Sequence, residues 1–388
     1  MAAAASMSSA MWMRPEEIPI SRAISNVEAA LKAEPGNAQT LLTLARLHSH
    51  AYATSNGDKI GMYDKNILPE WFSVRTTRGR TVKPSQDALD HLRKSLGCYK
   101  AAIGRDPENG LAYLGAGFVL EEAARWTDEM EPMAFWGVTR DTPMDYKEAA
   151  LLAYRKGFTI GLKTDFDDEG TVMFGIESQW LTRENGQAIM RLVDREGAGS
   201  YKRGERAEIE DAIKRSQERP AAITPILFPV NGARPLSDLI NKTPQTSFDL
   251  AGDQVKREWQ WINADAAWLV WDPENSGRIT SGRQLFGTST WWMMFKDGYA
   301  ALATLDDNQD GWLTGKELKG VAVWHDKNGN ARSEPGEVKP VTAWQIASIR
   351  TSFDHRTRAA MVSETGIILR DGTKLPTYDW LPVGKPVK

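Results

Sequence analysis

The segment Asp306-Asp-Asn308-Gln-Asp310-Gly311-Trp312-Leu313-Thr314-Gly-Lys-Glu317 places oxygen-bearing side chains at alternate positions, a glycine at the sixth and a carboxylate at the twelfth. That spacing suits calcium, a hard cation that takes six to eight oxygens from a loop wrapped around it. The ligand set is the side chains of Asp306, Asn308 and Asp310, the Trp312 carbonyl, Thr314 through water, and both oxygens of Glu317. Gly311 permits the sharp turn, and apolar Leu313 is placed to pin the loop by packing or short strand pairing. An Asp- and Asn-rich turn held only by its own side-chain to backbone bonds would leave the joint match of these positions unexplained.

A second loop comes next, Asp326-Lys-Asn328-Gly-Asn330-Ala331-Arg332-Ser-Glu334-Pro-Gly-Glu337. Asp326, Asn328, Asn330, the Arg332 carbonyl, Glu334 and Glu337 fall on the six ligand positions, and Ala331 stands where the turn glycine belongs. In a third, Asp272, Glu274, Ser276, Arg278 and Thr280 occupy ligand positions, but Arg283 replaces the closing acid, so a turn without a cation is the stronger reading. Phe248-Asp249-Leu-Ala251-Gly-Asp253-Gln254 is a more eroded fourth copy.

The flanking elements are unusual for such loops. Phe295, Tyr299, Leu302 and Leu305 predict an amphipathic helix entering the first loop. Only eight residues separate Glu317 from Asp326, too few for an exiting and an entering helix, and Val321-Ala-Val-Trp324 alternates like a strand. The order and spacing from Phe248 to Ile349 resemble a bacterial EF-hand-like calcium-binding domain, of the kind attached to RTX and other exported proteins. The chain departs from that pattern at Ala251, Arg283, Gln284 and Ala331. The resemblance implies calcium binding and frequent export, and no catalytic activity. With three carboxylates per loop, sensor-grade sites at best, or sites of about 0.1 to 1 mM, are expected, and a millimolar site loads only outside the cytosol. This leans toward an extracytoplasmic location.

The first part of the chain is Ala- and Leu-rich with helical spacing, as in Leu41, Leu44, Ala45 and His48. Ala30-Leu31-Lys-Ala-Glu-Pro35-Gly-Asn37-Ala38 is echoed by Ala102-Ile103-Gly-Arg-Asp-Pro107-Glu-Asn109-Gly110. Proline is excluded from a helix interior and Asn is a favoured cap, so each stretch predicts a joint between two helices. With Tyr99, Leu111 through Gly115, and Tyr146 through Tyr154, these joints resemble irregular tetratricopeptide repeats, interrupted at Ser55 to Ser85 and Trp126 to Asp145. A generic helical bundle with a common Pro-Asn turn is the alternative. Asp165 to Gly170 opens like a calcium loop but has Ile176 where the closing acid belongs, and reads as a solvated acidic turn. An amphipathic helix ending at Pro220 and an extended Ile223 to Pro229 make the middle region a connector.

The expected fold class is therefore mainly α with small β elements: a tetratricopeptide-like helical module, then an α+β EF-hand-like calcium-loop domain. The divisions are a flexible tail at 1–20, the helical module with insertions at 21–163, a connector at 164–246 and a Trp-rich calcium domain at 247–388. Ten of the 15 tryptophans, from Trp259 onward, lie in that last division.

Against 51 acidic residues stand 48 basic ones, so the net charge of −3 offers no field for nucleic acid. No apolar run reaches the roughly 18 residues of a membrane span, and the residues before Arg14 lack the features of a secretory leader. Cys98 is the only cysteine, which excludes an internal disulfide and a thiolate zinc site. The five histidines form no common catalytic signature; His48 and His50, two apart on a helix, read as capped or solvent-facing rather than as a metal pair. The expected function is a non-catalytic, calcium-binding scaffold or interaction protein whose helical module takes a protein or peptide partner. The alternative is a calcium-dependent carbohydrate-binding or glycan-active exported protein, with Trp259 and Trp261 on a strand as its exposed platform.

Overall fold

The computed structural model describes residues 18–55, 84–130, 134–136, 142–165, 181–217, 223–252 and 255–385. Residues 1–17 of the expected tail, 56–83 of the first insertion, the acidic turn after Asp165 and the Asp253-Gln254 end of the fourth loop lie outside the described residues.

Among the described residues seven helices come first: α1 Ile20–Ala33, α2 Ala38–Ser55, α3 Gln86–Arg105, α4 Gly110–Ala123, α5 Pro143–Thr164, α6 Leu181–Glu196 and α7 Glu205–Gln217. Their starts rest on local chemistry, because the first amides of a helix need acceptors. Asn37 accepts from Thr40 N at 3.0 Å, Ser85 from Ala88 N at 3.1 Å, Asn109 from Ala112 N at 3.1 Å and Thr142 from Asp145 N at 3.3 Å. Each helix packs on the next, and α4 is buried between neighbours. Close approach there needs glycine: a Cβ on Gly115 would lie 2.2 Å from the Tyr99 hydroxyl, and one on Gly117 2.6 Å from the Tyr154 ring.

The second half is a sheet. Its strands are β1 Ile226–Pro229, β4 Ala266–Trp271, β5 Trp312–Thr314, β6 Val321–Trp324, β7 Val338–Pro340, β8 Ile346–Arg350, β9 His355–Arg356, β10 Ala360–Leu369 and β11 Lys374–Trp380. They run antiparallel in the order β5-β8-β10-β11-β1-β4-β6-β7, with β9 beside β10, and the sheet curls into a half-barrel. A separate ribbon pairs β2 Thr246–Phe248 with β3 Arg257–Trp259. Side chains alternate between faces along a strand. On β4, Trp268 and Val270 join a core with Trp261, Trp324 and Trp380, while Ala267, Leu269 and Trp271 join another with Phe286, Trp291 and Val323. Both faces of β4 are covered, which is why its sequence is an unbroken apolar run. Ala23 and Val27 of α1 and Leu44 and Leu47 of α2 belong to the second of these cores, so the first two helices pack into the sheet module.

This corrects the expected fold class. The C-terminal region is an antiparallel β half-barrel, not an α+β arrangement of loops with small β elements. Among the described residues from 226 to 385 the one α-helix is α8, Gly298–Ala303, of six residues. The reason is spacing: the stretch between the first and second loops is too short for an exit helix, and β5 pairs with β8 instead, Leu313 facing Ile349. β1, drawn from the expected connector, lies inside the sheet between β11 and β4. No helix of the described residues is long and apolar enough to cross a membrane.

Candidate metal centre

The loop from Asp306 to Glu317 follows α8, contains β5 and closes in a 3-10 turn at Gly315–Leu318. Asp297 caps α8 by accepting from Ala300 N at 2.7 Å, which fixes the start of the helix that leads into the loop. Asp306 is 5% exposed. Its Oδ2 accepts from Gly311 N at 2.9 Å, while its Oδ1 is buried and makes no hydrogen bond of good geometry, the Gln309 amide also pulling on this carboxyl. Glu317, also buried, accepts from Asp307 N at 2.9 Å and Asn308 N at 3.3 Å through Oε1 and from Thr314 N at 2.8 Å through Oε2. Asn308 Oδ1 takes Asp310 N at 3.0 Å, and Asp310 Oδ1 takes Trp312 N at 2.9 Å. Gly311 has φ +85°, the left-handed region where glycine carries no penalty.

These residues fit a calcium ion in one specific respect. An unpaired carboxylate oxygen out of water is costly, and Asp306 Oδ1 is such an atom at the loop's first ligand position. Burial foremost, then the Glu317 and Asp310 charges, push the Asp306 carboxyl above the ordinary carboxylate range against the pull of the Gly311 and Gln309 amides. Among the described residues no group of three or more His, Cys, Asp or Glu side chains is arranged to hold a metal. The loop carries Asp306, Asp310 and Glu317 on one turn, their present partners being backbone amides and, for Asp310 Oδ2, the Asn308 side-chain amide at 2.9 Å; the other oxygens of the expected ligand set are those of the Asn308 side chain, the Trp312 carbonyl and the Thr314 hydroxyl.

The second loop is more fully satisfied. Asp326 is fully buried, and its Oδ2 accepts from the Trp261 indole at 2.7 Å and from Ala331 N at 2.8 Å. Its Oδ1 takes Asn330 N at 3.2 Å. Glu334 is held by the Asn328 and Asn330 amides at 2.9 and 3.2 Å, and Glu337 accepts from Glu334 N at 3.1 Å. Ala331 sits at φ +55°, so the sixth position is left-handed without its glycine. Arg332, exposed, lines a polar cleft of about 230 Å³ together with Lys256, Thr246 and Asn330.

The third loop closes on itself. Asp272 Oδ1 accepts from Ser276 N at 2.8 Å and Ser276 Oγ at 2.7 Å, and Oδ2 from Gly277 N at 2.9 Å. Gln284 Oε1 accepts from Thr280 N at 2.9 Å, as Glu317 does from Thr314, and its Nε2 donates to the Arg278 carbonyl at 2.9 Å. A neutral amide thus bonds the carbonyl that would have faced a cation. Arg283 turns away to the Gly252 carbonyl at 2.6 Å and stacks 4.0 Å from the Trp292 ring. Glu274 is exposed at the rim.

Two expectations fail here. Trp259 and Trp261 are completely buried rather than exposed: β3 turns the Trp259 ring inward, where its indole donates to the Phe248 carbonyl at 3.1 Å, and Trp261 serves Asp326. No aromatic ring among the described residues lines the cleft beside the second loop, so these two tryptophans supply no glycan platform there. Of the capped and solvent-facing alternatives for His48 and His50 the solvent-facing one fails, since both are buried, and His48 Nδ1 lies 2.9 Å from His91 Nδ1. Burial, with His91 and Lys94 adding, brings His48 down to about 4. Sequence reasoning missed the contacts of Asp307 and Gln309 with α1, and it singled out Gln284 as a departure without its role in closing the third loop.

Residues 237–380, which contain all three loops, match the SPM domain family model. Over 111 residues the chain is 31% identical to the iron-regulated protein FrpA of Neisseria meningitidis serogroup C, a stretch covering 27% of this chain and 10% of that protein. The chain thus matches about a tenth of the relative's length, and its C-terminal region is similar to an SPM domain.

Proposed function

We propose that this chain is a non-catalytic calcium-binding scaffold or interaction protein, in which the EF-hand-like loop 306–317 is the principal cation site and loop 326–337 a weaker one. The observation that carries this reading is Asp306 Oδ1, a buried carboxylate oxygen without a partner at the first ligand position of a complete ligand spacing. When bound, calcium supplies the positive charge that the Asp306, Asp310 and Glu317 carboxylates lack. The protein's own residues do the rest: Gly311 turns the backbone so that its amide holds Asp306 Oδ2, and Leu313, paired across to Ile349, anchors the loop to the sheet. The role is stabilisation of the half-barrel, and a protein or peptide partner is assigned to the helical module with its irregular tetratricopeptide-like joints. Loop 272–283 takes no cation in this reading.

Isothermal calorimetry of the full chain tests it. Wild type binds calcium with one tighter and one weaker site, and Glu317→Gln loses the tighter one. Absence of heat up to several millimolar calcium, where the weakest modules of this type still bind, would overturn the proposal.

A further inference from the structure

Helix α1 stands on the candidate cation loop through residues the ligand set does not use. Arg22 Nε donates to Asp307 Oδ1 at 2.6 Å, and Nη2 donates to the Leu305 carbonyl at 2.5 Å. One turn on, Asn26 Nδ2 donates to the Thr304 carbonyl at 3.0 Å and to the same Asp307 Oδ1 at 2.9 Å. From the loop side, Gln309 Nε2 donates back to the Asn26 carbonyl at 3.3 Å. Ala23 and Val27, four residues apart and therefore on one helix face, are buried in the core that holds Leu302, Leu305 and Leu313. The helix thus grips residues 304, 305, 307 and 309, which alternate with or flank the ligands Asp306 and Asn308.

We infer that docking of α1 and cation binding at loop 306–317 are linked equilibria, each strengthening the other; this rests on the calcium reading of that loop. A ligand loop must lose conformational freedom to hold an ion, and a helix already gripping its entering half removes part of that cost. A cation that orders the loop in turn builds the surface on which α1 lands, and linkage makes the two effects equal. The Arg22 guanidinium does not reverse the sign, because its charge is paired with Asp307, which is not a ligand. Asn26 is neutral, so its contribution is positional alone. Across this contact calcium joins the helical module to the half-barrel, and the device is an internal clasp between the chain's two halves.

The test uses the full chain. Amide hydrogen exchange of residues 20–33 is measured in chelator and in saturating calcium, and calcium affinity is measured by calorimetry in wild type, Arg22→Gln/Asn26→Ala and Gln309→Ala. Calcium is expected to slow α1 exchange about tenfold in wild type, and the double variant to bind calcium about tenfold more weakly with α1 exchange no longer responding. Gln309 is exposed, so Gln309→Ala keeps the fold and should show a smaller shift of the same sign even if the double variant fails to fold. If wild type binds calcium while α1 exchange is unchanged and Gln309→Ala binds as wild type does, the linkage is wrong and the calcium site stands. If wild type binds no calcium, both fall together.

Discussion

Loops 306–317 and 272–283 share a backbone plan and differ in what closes them. In each, the first aspartate takes the amide of the sixth residue, Gly311 to Asp306 and Gly277 to Asp272, and in each an acceptor reaches the amide of the ninth residue. Asp272 then satisfies its other oxygen with the Ser276 amide and hydroxyl, and Gln284 bonds the seventh-position carbonyl with a neutral NH2. Asp306 has no serine at the equivalent place, and its Oδ1 stays buried and unpartnered. One loop closes with hydrogen bonds alone, and the other leaves a buried carboxylate oxygen outside its hydrogen-bond network. Loop 326–337 lies between them, with the ligand spacing kept but Asp326 already served by Trp261 and two backbone amides.

The largest expected effect falls on the acid that one loop has and the other lacks. Glu317→Gln should weaken the tighter calcium site by roughly 100-fold, about 2.8 kcal/mol, as read by calorimetry; an unchanged isotherm would remove the distinction between the loops. Next, Asp306→Asn should act in opposite directions in chelator and calcium. Without calcium it removes an uncompensated buried charge while keeping an acceptor for Gly311, gaining about 1 kcal/mol, a melting temperature higher by roughly 1 to 2 °C; in calcium it loses a ligand and falls below wild type. A loss of similar size in both conditions would mean Asp306 is only a turn residue.

Acid should separate the same two states. The folded apo form holds the Asp306 proton at higher pH than the unfolded chain does, so between those two values stability in chelator rises as pH falls. Protons then compete with calcium, and the tighter site should weaken over the same interval. A pH series of melting curves with and without calcium, compared with Asp306→Asn, isolates this contribution. Glu337→Gln should reduce only the weaker site, leaving the tighter isotherm in place. The smallest effect belongs to Asp272→Asn: about 0.5 kcal/mol of stability lost through weakened turn bonds, equal in chelator and calcium, with stoichiometry unchanged.

Of the fold, the helical joints were legible because they are local. Pro35 and Asn37, and Pro107 and Asn109, act within a few residues, and the Asn37 and Asn109 caps are where the spacing places them. The half-barrel was not legible as a whole. Val321 to Trp324 reads as a strand, but β5, β7 and β9 are two or three residues long and carry no periodicity. Their pairing depends on partners far along the chain: β1 at residue 226 sits beside β11 at 379, a relation no local spacing encodes. The crowding of tryptophan into the last division is plain in the sequence, but its exposure is not, since Trp259 and Trp261 turn inward to the Phe248 carbonyl and Asp326.

By itself the sequence determined the oxygen spacing of the three loops, the acid at 317, the arginine at 283 and the helix joints, because ligand and capping chemistry act over a dozen residues or fewer. Tertiary structure decided which aspartate oxygen is left buried without a partner, which tryptophans face the core, and that α1 grips the loop at 304 to 309. Burial and long-range contact depend on what packs from elsewhere in the chain: Arg22 lies 283 positions from the carbonyl and 285 from the carboxylate that it holds.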